Sequence, residues 1–99
     1  MKIKDLPQFS FYIGNTLDDE YDVVATNEGI AVDDEIVSTY DEEAEFEDAH
    51  EFMDVIDDAI TSCDVLTDDD IEELGVVLFN GADLTIETWW REKIEKQNK

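Results

Sequence analysis

The stretch YDEEAEFEDAHEFMDVIDDAI, Tyr40 to Ile60, carries ten acids and no Lys or Arg, yet its apolar residues keep a helical rhythm. At 100° per residue, Ala49, Phe52, Met53, Ile56, Ile60 and, just beyond, Cys63 fall within about 60° of one direction, an apolar stripe able to cover a sheet. Glu47, Glu51, Asp54 and Asp58 fall within about 40° of the opposite direction. STYDEE offers Ser38 or Thr39 as an N-cap, with acids following where the helix dipole favours them. Glu45 would point into the core if the helix ran that far back, so its predicted start is near Phe46.

Upstream, QFSFYIG alternates Phe9, Phe11 and Ile13 against Gln8, Ser10 and Tyr12, the period of a strand with one buried face. GNT supplies a turn, EYDVVAT repeats the alternation with Tyr21, Val23 and Ala25 in phase, and NEG turns into IAVDDEIV. The expectation is a three-stranded antiparallel meander over residues 8–37. Downstream, LTDDDIEELG is a second helix with Thr67 as N-cap, Asp70 at its N3 position and Gly75 as its stop. VVLFNGADLTIETW reads either as a hairpin turning at Asn80-Gly81 or as a short strand or extension of that helix to Phe79, the turn, and a closing helix from about Thr85. The second reading is preferred, because Ile86, Trp89, Trp90 and Ile94 then share a side. The predicted fold is α+β, a single domain over residues 1–99: the meander packed against one long acidic helix and one or two shorter C-terminal helices.

The net charge is −23 and the pI about 4.1. Self-repulsion of that size suits a disordered chain, but Leu, Ile, Val and Phe together stand well above the roughly 20% level of disordered composition. A folded domain with an unusual surface is expected. All six bases, Lys2, Lys4, Arg91, Lys93, Lys96 and Lys99, lie at the two ends. The acids between them can be neutralised only by those terminal bases, His50 or a partner, so a field of several kT should surround the surface. Nucleic acid and anionic membrane are excluded as direct partners; a basic protein is favoured. A lone cysteine rules out an internal disulfide, and no apolar run is long enough for a signal peptide or a membrane span, so a cytoplasmic location is expected.

Concentrating like charge on a helix has a cost. Asp41–Glu45, Glu43–Glu47, Glu47–Glu51 and Asp54–Asp58 are i,i+4 pairs, and with the i,i+3 pairs the repulsion reaches on the order of 2–4 kcal/mol at low salt if all are helical. A groove that ordinarily binds nucleic acid would offset it. A helix rises about 6 Å over four residues, and phosphates follow one another at roughly twice 3.4 Å along the winding DNA backbone. The row Glu47, Glu51, Asp54, Asp58 therefore repeats near phosphate spacing, and carboxylates accept the bidentate Arg contacts that phosphates do. The expected contact set is Glu43, Glu47, Glu51, Asp54, Asp57 and Asp58, with Asp68, Asp69 and Asp70 as a second patch. Asp18, Asp19, Glu20 and Asp22, and Asp33, Asp34 and Glu35, would extend the band.

In size, composition and the clusters DDEYD, DEEAEFED and DDDIEE, the chain resembles the small acidic DNA-mimic inhibitors encoded by phages and mobile elements, which block restriction enzymes, CRISPR nucleases or other DNA-binding proteins. The resemblance implies competitive occupation of a nucleic-acid groove on a basic nuclease or its complex, inside the host cytoplasm. Two other readings of the acids are an antitoxin-like protein that neutralises a basic partner without tracking a groove, and a surface adapted to high salt, which screens the same repulsion.

Other chemistry is poorly supported. From Asp68, the sixth and twelfth positions of a calcium loop are Glu73 and Phe79 where Gly and Glu are needed, so no metal or cofactor is expected. His50, near 100° from the centre of the apolar stripe, reads as a boundary residue, and no nucleophile–base arrangement or phosphate loop is present. The chain is not expected to be an enzyme. Trp89 and Trp90 point about 100° apart on a helix, so one can close the core while the other is partly exposed; core packing is the preferred reading, and the alternative is that one of them anchors the target or a homodimer.

Overall fold

The computed structural model describes residues 1–15, 21–78, 80 and 83–95. A single 3-10 turn at Ile3–Asp5 leads into a four-stranded antiparallel sheet in sequential order, β1 (Ser10–Asn15), β2 (Asp22–Thr26), β3 (Gly29–Val32) and β4 (Glu35–Ser38). Helices α1 (Ala49–Thr61), α2 (Asp68–Val77) and α3 (Asp83–Trp90) follow, and α3 continues as a wider π-type turn through Arg91–Glu95. The fold is α+β, as the sequence implied.

The meander has one strand more than expected. IAVDDEIV is two strands, because Asp33 (φ 54) and Asp34 (φ 67) both adopt the left-handed conformation and close a two-residue hairpin between paired Val32 and Glu35. Such turns match the twist of the flanking strands, and Asp tolerates the conformation better than most residues. At the other end of β3, Gly29 is obligatory: at φ +146 a Cβ would sit 2.1 Å from the Ser38 carbonyl oxygen. Asn27 ties this turn to the entry of β1, its side chain accepting from the Phe9 N–H (2.5 Å) and donating to the Pro7 carbonyl (3.2 Å).

Alternation holds along β1 and β2. Phe9, Phe11, Ile13, Val23 and Ala25 are buried, while Gln8, Ser10 and Tyr12 are exposed. Tyr21, expected in phase with Val23, lies ahead of β2 and is exposed. Gly14 and Asn15 of the expected GNT turn belong instead to β1, where they pair with Val23 and Asp22; Thr16, Asp18, Asp19 and Glu20 fall outside the described residues. Ile13 is the extra residue of a bulge, since Tyr12 pairs with Val24 and Gly14 with Val23. The helices cover the inner face. Phe52, Met53, Ile56 and Ile60 of α1 are buried there with Cys63, and the Ser38 hydroxyl donates to the Ala59 carbonyl at 2.8 Å, joining β4 to α1.

Three boundaries differ from expectation. Neither Ser38 nor Thr39 caps α1; Ser38 belongs to β4, and the cap is Asp48, whose carboxylate accepts the Glu51 N–H at 2.9 Å. The chain between is irregular because fully buried Phe46 is held at its own backbone, its N–H donating to the Met1 carbonyl at 2.9 Å. Gly75 does not stop α2, which runs on to Val77 because Leu74 and Leu78 are both buried one turn apart. The closing helix begins at Asp83. Gly81 lies outside the described residues, but helical chain on both sides of it decides against the hairpin.

Rings from opposite ends of the chain meet in the core. Phe9 lies 5.2 Å from Phe52 and 5.7 Å from Trp89, Phe11 lies 5.4 Å from Trp89, and Phe46 lies 5.9 Å from Trp90, mostly edge to face. Trp90 is buried and half-buried Trp89 packs its ring on β1, so both tryptophans close the core.

Candidate functional site

The predicted contact residues separate into three groups. Glu51, Asp54 and Asp58 are exposed on α1, opposite its buried stripe. With a rise of about 1.5 Å per residue, they stand roughly 4.5 and 6 Å apart along the axis. Glu43 and Glu47 are exposed as well, but on the irregular segment ahead of the helix, so the expected helical row is shortened at its N-terminal end. Within α1 the like-charge pairs are only Glu51–Asp54, Asp54–Asp57 and Asp54–Asp58, and the repulsion falls to about 0.6–1.5 kcal/mol. Most of the expected cost is relieved by the late start of the helix.

That segment presents its acids by local turns. Asp41 accepts the Glu43 N–H at 2.9 Å, and the Ala44 N–H donates to the Asp41 carbonyl. Asp41, Glu42, Glu43, Glu45, Glu47 and Asp48 are all exposed, while Tyr40 and Phe46 anchor the two ends in the core. Glu45, expected to point coreward from a helix, faces solvent for this reason. Glu51 has a second role: its Oε2 accepts the Glu47 N–H at 3.1 Å, so it ties the residue ahead of the cap to the first turn of α1. Lys2 approaches Glu43 to 3.5 Å, an exposed pair of the kind that contributes little. Arg91 is held by Glu87 on its own helix at 2.5 Å, so neither base covers the α1 row.

Two of the predicted residues are drawn in from the exposed rows, Asp57 in part and Asp70 fully. Asp57 is half-buried beside α2, its Oδ1 3.6 Å from where a Cβ at Gly75 would stand. Desolvation, and then the charges of Asp58 and Asp54, push its pKa above the ordinary carboxylate value. Asp70 is only 5% exposed and closes a capping box, accepting from the Thr67 N–H while the Thr67 hydroxyl accepts from its own (both 3.2 Å). Asp68 and Asp69, in the same first turn, are exposed and form what remains of the second patch.

Asp22, Asp33, Asp34 and Glu35 are exposed at one end of the sheet, where the Asp33 N–H donates to the Asp22 carbonyl. His50 is exposed. Among the described residues, no three His, Cys, Asp or Glu side chains converge as metal ligands, and no helix is long and apolar enough to cross a membrane. What this arrangement offers chemically is a set of ionised acceptors, carried by a rigid helix and an anchored loop. Comparison of the chain with protein-family models, characterised proteins and solved structures found no match.

Proposed function

We propose that the protein is an inhibitor that mimics the charge pattern of DNA and occupies the nucleic-acid groove of a basic target, a host defence nuclease of the restriction or CRISPR type. The observation that carries this reading is the outward row Glu51, Asp54 and Asp58, continued by Glu47 and Glu43, in a chain with no Lys or Arg between Asp5 and Trp90. Packing of α1 through Phe52, Met53 and Ile56 fixes the row's direction and spacing, so little ordering entropy is lost when it binds. Asp68 and Asp69 add a second exposed patch at the start of α2. Asp57 and Asp70 are left out of the contact set.

The test is retention of a target from host lysate at low and moderate salt, followed by competition with duplex DNA. A DNA-binding enzyme that duplex DNA releases supports mimicry, whereas a retained basic protein that binds both at once is the behaviour of an antitoxin-like partner. The charge-reversal variant Glu47→Lys, Asp54→Lys, Asp58→Lys spares Glu51, which helps to start the helix. It should keep its helical circular dichroism and lose inhibition by at least about a hundredfold, since charge-assisted hydrogen bonds contribute roughly 1.5–3 kcal/mol each. A folded variant that still inhibits fully would refute this contact set.

A further inference from the structure

The helices all lie against one face of the sheet. The other face carries polar Ser10 and Thr26, of the kind an antiparallel sheet usually turns to water, but one row beside them is apolar. Tyr12 pairs with Val24, Val24 with Ala31 and Ala31 with Ile36, so one apolar row crosses all four strands. With strands about 4.8 Å apart, the row spans roughly 14 Å. Tyr12 is 55% exposed and Ile36 37% exposed. A groove of about 750 Å³ opens on this face; its lining includes Val24, Ala31 and Ile36, the carboxylates of Glu28 and Asp34, and uncharged polar neighbours such as Thr26. Asp22 is exposed at the end of the adjoining strand. No Lys or Arg occurs in any of the four strands or in the described turns between them.

We propose that this face is a second docking surface, and that it takes a segment of a protein partner carrying two or three apolar side chains flanked by Lys or Arg. The row supplies the apolar contact, and the Glu28 and Asp34 carboxylates supply complementary charge at its margins. A second copy of the chain is a poor occupant, because it would bring those acids against their own equivalents and join two bodies each carrying −23. The surface stands on the opposite side of the sheet from the outward carboxylates of α1. Loss of binding at one leaves the other in place.

Two peptides of equal charge separate the surfaces: acetyl-Lys-Lys-Leu-Ala-Leu-Lys-Lys-amide and the same peptide with serine for leucine, each titrated into ¹⁵N-labelled protein. The leucine peptide should move the amide resonances of Tyr12, Val24, Ala31 and Ile36, while the serine peptide should leave them in place and move only those near exposed acids. Ile36→Ser, an outward change whose effect on folding the same spectrum reports, should weaken the leucine peptide about tenfold. If both peptides give one pattern confined to α1 and the segment before it, the proposal is overturned and the reading of the acidic row is untouched. If the row's resonances broaden with protein concentration in the absence of peptide, the occupant is a second copy and the proposal is likewise overturned.

Discussion

Asp69 and Asp70 are neighbours in sequence, but the first is exposed and the second is buried against the Thr67 N–H. Asp70→Ala should therefore cost about 0.5–2 kcal/mol in urea unfolding, the range of a lost cap, and leave target affinity unchanged. Asp69→Ala should leave stability within about 0.5 kcal/mol and weaken binding. The spacing of Thr67 and Asp70 was legible as a cap, and that role already withdraws Asp70 from the surface; counting it in a charge cluster ignored the cap. Asp57 differs, because no local pattern marks it. Its burial depends on α2 passing beside it, a tertiary fact. A carboxyl with a raised folded pKa binds more protons folded than unfolded in the interval above its ordinary value, so stability falls as pH rises through that interval. Asp57→Asn removes the loss. It should stabilise the protein at about pH 7 by at least the roughly 0.2–0.5 kcal/mol of the pair with Asp54, with the gain vanishing near pH 3, where the wild-type carboxyl is protonated too. Urea midpoints at the two pH values check this.

At the scale of elements, periodicity located the strands and the apolar stripe of α1 but misplaced their ends. Ser38 and Thr39 look like caps by residue type, whereas Asp48 was hidden among ten acids in its own stretch. What delays the helix is the hold of Met1 on Phe46, a contact between distant residues that no window of sequence contains. The hairpin of β3 and β4 was missed for a related reason: IAVDDEIV reads as one strand, since the turn at Asp33 and Asp34 lacks the Asn-Gly pair that marks it most clearly. Two residues in the left-handed region carry a cost that Asn and Gly reduce. The double variant Asp33→Asn, Asp34→Gly should therefore raise stability by about 1 kcal/mol and the thermal midpoint by several degrees, measured by calorimetry. The sheet's apolar outer row is only partly legible in the sequence: Tyr12, Val24 and Ile36 occupy solvent-side positions one to a strand, and it is the strand register that lines them up.

At the scale of the whole molecule, a charge of −23 opposes compaction wherever it is unscreened. The thermal midpoint should rise between about 0.01 and 0.15 M NaCl, as the screening length shrinks from roughly 30 to 8 Å, and affinity for a basic target should fall over the same range. A domain that folds only in molar salt and retains no basic protein would instead have a salt-adapted surface. The core adds a different kind of constraint. Phe9 and Phe11, close to the start of the chain, pack on Trp89, close to its end. While the polypeptide is being synthesised, the meander can pair its strands early and take α1 and α2 onto its inner face, yet the part of that face around Phe9 and Phe11 lacks its Trp89 cover until α3 has left the ribosome. The first strand is thus held partly by the last of the described helices: those of its amide protons that bond to β2 should exchange with solvent slowly, and clipping the chain after α2 should speed their exchange in a strand nearly the full length of the sequence away.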